Sequence, residues 1–167
     1  MLDLKSERLS LKSIAALKFE ELRMLDADPD VMKYTSKGEI RTEAESKVWM
    51  QKILNHHKTH GFGMMPFYLT NSEVFIGVAG IKYLENTNLP ELGYRLVKQH
   101  WGNGYGTEIG RLLINYARNT LKFDKLVAVT KPENIPSQQI LTKCGFQFKG
   151  IDFYYKTEVN YFELDLK

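Results

Sequence analysis

The stretch "QHWGNGYGTEIG", residues 99–110, holds four glycines in twelve positions, and helical apolar spacing begins inside it. Glycines without a Cβ let an anion approach the backbone, and a helix start offers free N–H groups with a partial positive charge. The chemistry this permits is phosphate binding. A nucleoside-triphosphate loop is excluded, because Gly106 is followed by Thr107 and Glu108 where a lysine must neutralise the terminal phosphates. A dinucleotide fingerprint is disfavoured: Gly102, Gly104 and Gly106 have the wrong spacing, and Asp124 opens the next strand when it should close it. The pyrophosphate of a coenzyme, or a merely tight strand-to-helix connection, remains. In either case Glu108 suits the helix dipole but would repel a phosphate, so it should point away.

Downstream, "VAVTKPENIPSQQILTKCGFQFKG" places a strand, then Asn134 and Ser137 at a helix start, then a Gly-Phe. Ser137 could equally cap the helix, as serine does well. His56, His57 and His60 have ligand-like spacing, but no cysteine or well-placed carboxylate completes a set, so no metal is expected. They read as a solvated helix end, where cations suit the dipole. Cys144 is the single cysteine, which rules out an intrachain disulfide. It is expected to pack as a small apolar residue.

Residues 2–12 alternate through Leu2, Leu4, Leu9 and Leu11 as one strand, irregular near Ser6. Helical spacing covers 14–25 until Pro29 interrupts it. A second helix is expected over 42–57, with Thr42 and Glu45 as a capping box. "MMPFYLT", "EVFIGVAGIKYL" and "ELGYRLV" read as strands, the first two joined by a turn at Asn71-Ser72. A helix follows the glycines, with Ile109, Leu112, Leu113, Tyr116, Ala117 and Leu121 as its buried stripe. Then come a strand "KLVAVT", a helix over 135–143 ended by Gly145, and strands over 146–156 and 159–166. Seven strands and four helices in this order predict a mixed α/β sheet with helices on its faces, not regular βα alternation.

The chain of 167 residues is 43% hydrophobic and 26% charged, which suits one domain spanning 1–167. A net charge of +3 with no basic block gives no footprint for nucleic acid. No stretch approaches the ~20 apolar residues of a membrane span, and no leader pattern opens the chain. A cytoplasmic location is expected.

Together, "ELGYRLVKQHWGNGYGTE" and "PENIPSQQILTKCGF" resemble the GNAT acetyltransferases, and most nearly their RimJ/RimL type. That type acetylates protein N-termini and, in relatives, small amines. The family's loop pattern is Arg/Gln-x-x-Gly-x-Gly/Ala, whose glycines match Gly104 and Gly106. Trp101 then stands at the Arg/Gln position, as is usual for this type. Gln99 with Gly102 and Gly104 fits another register, but the helix start favours the first. The similarity is specific over 91–150 and looser at both ends.

The resemblance implies a GNAT fold: a mostly antiparallel sheet of about seven strands, flanked by about four helices and splayed between the fourth and fifth strands. Acetyl-CoA would be the co-substrate. Its pantetheine would pair with free backbone groups at Leu96 and Val97, and its pyrophosphate would lie on the amides of Asn103, Gly104, Tyr105, Gly106 and Thr107. Trp101, Gly102, Asn134, Ser137 and Lys143 complete the implied binding set, and Lys98 or Arg111 could add charge. Close helix–sheet packing is the expected reason for Gly110 inside the helix. Glu91 is the implied general base and Ser137 the implied acid toward the departing thiolate. Either Tyr154 or Tyr155, but not both, could line the acceptor pocket from a strand, and Tyr161 is a further candidate. The implied activity is acetyl transfer to an N-terminal α-amine or a small amine, by a monomer or homodimer. The alternative is a non-catalytic acyl-CoA-binding module on the same fold. No motif names the acceptor.

Overall fold

Neighbouring residues of the central strands are apolar in both parities, and the structure shows why: helices cover both faces of the sheet. The computed structural model describes residues 3–167; Leu2 of the expected first strand lies outside them. Eight strands form one sheet: β1 (Asp3–Lys5), β2 (Leu9–Lys12), β3 (Met64–Leu69), β4 (Phe75–Tyr83), β5 (Pro90–Leu96), β6 (Lys125–Thr130), β7 (Gln147–Tyr154) and β8 (Thr157–Asp165). Their spatial order is β1-β2-β3-β4-β5-β6-β8-β7. Every neighbouring pair is antiparallel except β5 and β6.

Five helices accompany the sheet: α1 (Phe19–Asp26), α2 (Pro29–Met32), α3 (Glu43–His60), α4 (Tyr105–Asn119) and α5 (Ile135–Lys143). On one side, Ile109, Leu113 and Ala117 of α4 pack with Leu141 of α5 on Leu11, Phe67, Ile76 and Ile81. On the other, Leu25, Val31 and Ile53 pack on Met64, Phe75 and Val78. The pairs Met64/Met65 and Phe75/Ile76 divide between these two cores, as strand alternation requires.

Three boundaries differ from the sequence reading. The irregularity near Ser6 divides the first strand into β1 and β2, which raises the count from seven to eight. Ile14–Ala16 is a separate 3₁₀ turn, so the first helix starts at Phe19. Pro29 opens the short α2 behind an Asp28 cap, where proline's missing N–H costs nothing.

The end signals were local and correct. Thr42 Oγ1 accepts from the Glu45 N–H at 3.2 Å, and Glu45 Oε2 accepts from the Thr42 N–H at 2.7 Å. At the end of α5, Gly145 takes φ +97°. Its N–H donates to Thr142 O at 3.0 Å and that of Phe146 to Leu141 O at 3.0 Å, which is a Schellman closure.

Candidate active site

β5 and β6 run parallel but share only the bridge between Glu91 and Val127. Beyond it the sheet opens, and a cavity of about 1270 Å³ fills the gap. It is lined from the glycine loop (Gly102, Gly104, Gly106), past Tyr94 and Ser137, to Glu91, Lys82 and Tyr155. This is the expected splay, between the fourth and fifth of the seven predicted strands.

The free backbone groups are only partly where they were expected. The Val97 N–H donates to Ile76 O at 2.8 Å, and Val97 O accepts from the His100 N–H at 2.9 Å. Leu96 O accepts from Trp101 Nε1 at 2.9 Å. Antiparallel alternation corrects the expectation: with Val97 bonded to β4, the N–H of Leu96 and both groups of Tyr94 face the gap.

In the loop, Gly102 (φ +75°) and Gly104 (φ +78°) hold left-handed conformations that turn the chain into α4. No hydrogen bond among the described residues uses the N–H groups of Gly102 through Thr107. Successive unpaired amides ahead of a helix form an anion-binding concavity. Glu108 does point away: its carboxylate accepts from Ser6 Oγ (2.6 Å), the Arg8 N–H (2.8 Å) and Arg8 Nε (2.7 Å). Arg8 Nη1 also donates to Asn103 O at 2.9 Å, and its guanidinium lies 4.6 Å over the Tyr105 ring.

Helix packing accounts for the last two glycines. A Cβ on Gly106 would stand 2.7 Å from Ile140 Cδ1, and one on Gly110 would stand 3.0 Å from Cys144 Sγ. Gly110 therefore serves contact with the end of α5, not the helix–sheet packing expected. Arg111 and Lys143 line a shallow groove beyond the loop with Arg8 and Gly104, whereas Lys98 is paired with Asp30 at 2.5 Å.

Asn134, not Ser137, caps α5: its Oδ1 accepts from the Ser137 N–H at 3.3 Å. The Ser137 hydroxyl is thereby left to the Tyr94 hydroxyl, 2.8 Å away. Burial pushes the Tyr94 phenol well above its ordinary value, so it stays protonated. Sequence reasoning missed Tyr94, the single aromatic of β5, because strands throughout the chain carry tyrosines and phenylalanines.

Glu91 is buried on β5, and its Oε2 accepts from Lys82 Nζ at 2.7 Å and from the Tyr155 hydroxyl. Lys82 is its direct cross-strand partner on β4. Only one of the adjacent tyrosines reaches the cavity, though not for the reason expected. Strand β7 ends at Tyr154, and Tyr155 with Lys156 forms the hairpin turn, both at positive φ (54° and 61°). Tyr154 instead stacks on Tyr161, with ring centroids 6.2 Å apart. Burial and the Glu91 carboxylate push the Tyr155 phenol up, so it remains a donor.

On the same face as Glu91, Arg95 Nη1 donates to the fully buried Asp26 at 2.7 Å. Arg41 Nη1 donates to the same oxygen at 2.8 Å, and Ser46 Oγ donates to the other at 2.6 Å. Trp49 carries both guanidiniums, Arg95 at 4.5 Å and Arg41 at 5.2 Å from its ring centre.

Of the three histidines only His60 is an exposed helix end; His56 and His57 are half-buried and bonded. His56 Nδ1 donates to Phe62 O at 2.8 Å while its Nε2 accepts from the Tyr83 N–H at 3.3 Å, which fixes one neutral tautomer. His57 Nε2 donates to Met64 O at 2.8 Å. Burial lowers the affinity of His56 for a proton, and the nearby His60, His57 and Lys82 add to this. The folded pKa thus lies below the unfolded 6.5, and the unfolded chain binds the extra proton. The contribution of neutral His56 is complete above about pH 6.5 and is lost as pH falls through that value toward the folded pKa. Melting temperatures between pH 7.5 and 5.5 should fall less in His56→Gln than in the parent; equal falls would remove His56 as the cause. Among the described residues no group of three potential ligands could hold a metal ion. No helix among the described residues is long and apolar enough to cross a membrane.

The GNAT acetyltransferase domain model matches residues 8–147. The N-acetyltransferase p20 of Bacillus licheniformis, otherwise uncharacterised, is 27% identical over 149 residues, covering 89% of this chain and 84% of its own. The acetyltransferase of Agrobacterium tumefaciens superposes with a TM-score of 0.85 at 24% identity, covering 98% and 94% of the two chains. RimL, a ribosomal L7/L12 alpha-N-protein acetyltransferase solved with coenzyme A, superposes with a TM-score of 0.75 at 17% identity, covering 98% of each chain. With the splayed β5–β6 pair and the unpaired loop amides, the match over most of its length shows that the chain belongs to the GNAT acetyltransferase family.

Proposed function

We propose that this single domain is an acetyl-CoA-dependent N-acetyltransferase, moving the acetyl group directly from the thioester to a primary amine. The observation that carries the reading is the unbroken cavity from the glycine-loop amides to the Glu91 carboxylate. The amides of residues 103–107 suit a pyrophosphate. The exposed edge of β5 at Tyr94 and Leu96 suits the amides of a pantetheine arm, which would pair there as an added strand.

In the reaction the neutral amine nitrogen attacks the thioester carbonyl carbon, and the carbon–sulfur bond breaks. Oε2 of Glu91 is engaged by Lys82 and Tyr155, whereas Oε1 has no partner among the described residues. That oxygen takes the amine's proton, directly or through a water. The Ser137–Tyr94 hydroxyl pair donates a hydrogen bond to the departing thiolate, which takes its proton from solvent. Covalent catalysis is not supported: Cys144 Sγ donates to Thr107 O at 3.6 Å, and burial pushes its thiol up. An α-amine (pKa ~7.7–8.0) offers far more neutral nucleophile at pH 7 than a lysine ε-amine (~10.4). A peptide N-terminus or a small α-amine therefore asks least of this base.

Acetyl-CoA at 100 times its dissociation constant should add about 2.7 kcal/mol and raise the melting temperature roughly 5–11 °C. Acetyl-dependent thiol release with amines should follow. A shift with NAD or ATP but not with acetyl-CoA defeats the reading. A normal shift with no thiol release across a broad amine panel favours the non-catalytic binding module.

A further inference from the structure

We infer that the acceptor amine carries an oxyanion, and that the free edge of the Arg95 guanidinium binds it. The inference rests on the acetyltransferase reading and names the substrate class of that site.

Arg95 uses Nη1 alone, toward Asp26 Oδ1 and the Met32 sulfur. Its Nη2 is buried and has no hydrogen-bond partner, and Nε has none among the described residues. Nε and Nη2 form one edge of the planar fork, which presents two parallel N–H groups matched to the two oxygens of a carboxylate or phosphate. A buried donor without an acceptor is destabilising unless water or a ligand completes it. Stacking on Trp49 and the bond to Asp26 hold the plane of the fork, so little order is lost on binding.

The charge around this edge is positive. Asp26 is shared by Arg95 and Arg41. Arg23 Nη1 stands behind it, 2.8 Å from Ser46 Oγ. Lys37 is matched by Glu45 and Asp30 by Lys98. Lys52 also lines the cavity. One carboxylate among three guanidiniums leaves an excess that a bound anion would neutralise.

Position assigns the anion to the acceptor and not to the coenzyme. Leu92, Tyr94 and Leu96 point to the α4 core, while Arg95 leaves the opposite face of β5 with Glu91. Gly93 lies between Glu91 and Arg95 on that face. A Cβ there would meet nothing closer than Met64 Sδ at 3.8 Å, so the floor between base and guanidinium is open. Four residues of strand separate the two Cα atoms by about 13 Å. The amine and the anion of the acceptor are therefore several bonds apart, as in a short peptide.

The test uses the full chain, with thiol release measured on matched acceptors: tripeptides ending in a free carboxylate or a carboxamide, and O-phosphoethanolamine against ethanolamine. The first pair reads a carboxylate source, the second a phosphate source. At least one anionic member should exceed its neutral partner in kcat/KM by about 10- to 100-fold, mainly through KM, and Arg95→Gln should erase that ratio. The acetyl-CoA thermal shift of Arg95→Gln should stay intact. Turnover with no anionic preference overturns the inference and leaves the acetyltransferase reading standing. A preference that survives in Arg95→Gln removes Arg95 from the role. Silence from every acceptor defeats both. Should Arg95→Gln fail to fold, the ratio in the parent chain still decides whether an oxyanion is read.

Discussion

Glu91→Gln lowers kcat/KM at neutral pH by about 10²–10⁴-fold, the range of a general base lost from a transition state. Glutamine keeps the volume and can still accept from Tyr155 and Lys82, so packing is preserved while the proton acceptor is gone. Lys82 is about one-third exposed, and water can solvate it without its partner. The acetyl-CoA thermal shift should therefore match the parent, because the loop amides and the β5 edge are untouched. The loss should shrink as pH rises through the amine's own pKa, since the fraction of nucleophile needing no deprotonation grows. A pH–rate profile of unchanged shape and height would remove Glu91 from the role.

Asp26→Ala should cost about 3–5 kcal/mol of stability, the penalty of breaking a buried ion pair and leaving its cations uncompensated. The melting temperature should drop roughly 6–20 °C at this chain length. Asp26 receives Arg95, Arg41 and Ser46 together and is fully buried. Burial alone would raise its pKa; the Arg95 charge, the Ser46 hydroxyl and Arg41 outweigh it and hold the carboxyl below its ordinary value of 3.8. The stabilisation is thus complete above about pH 3.8 and is lost as pH falls through the folded value. Asp26→Asn should lose this acid limb, and a melting temperature within about 2 °C of the parent at pH 7 would show that the cluster does not stabilise the fold.

The two variants report on different kinds of legibility. Loop, caps and helix ends were readable because each depends on a few adjacent residues: glycines ahead of a helix, Thr42 with Glu45, Gly145 with Phe146. Glu108 was placed correctly by charge alone, although its partners Ser6 and Arg8 lie a hundred positions away.

The partners of the site were not readable. Lys82 meets Glu91 through the β4–β5 register, Tyr155 reaches it across 64 positions, and Asp26 meets Arg95 across 69. None of these pairings has a local pattern. One signal was available: in "ELGYRL" the odd positions read acid, glycine, arginine while the even ones are apolar, so one face of a buried strand carries two charges. The misread histidines failed for a related reason. The ring nitrogens of His56 and His57 bond to the backbone of Phe62, Met64 and Tyr83, partners that residue type does not disclose.

The single bridge between β5 and β6 also bears on how the molecule moves. Strands β1 to β5 form a meander of neighbours in sequence, and β6 to β8 form a second antiparallel unit. One backbone bridge joins the two where a full ladder would otherwise run. The sheet is thus two antiparallel plates meeting along a seam held by a single backbone pairing. A molecule that paired along the free edge of β5 would add backbone bonds across that seam. Occupancy of the cleft and rigidity of the whole sheet then become one property.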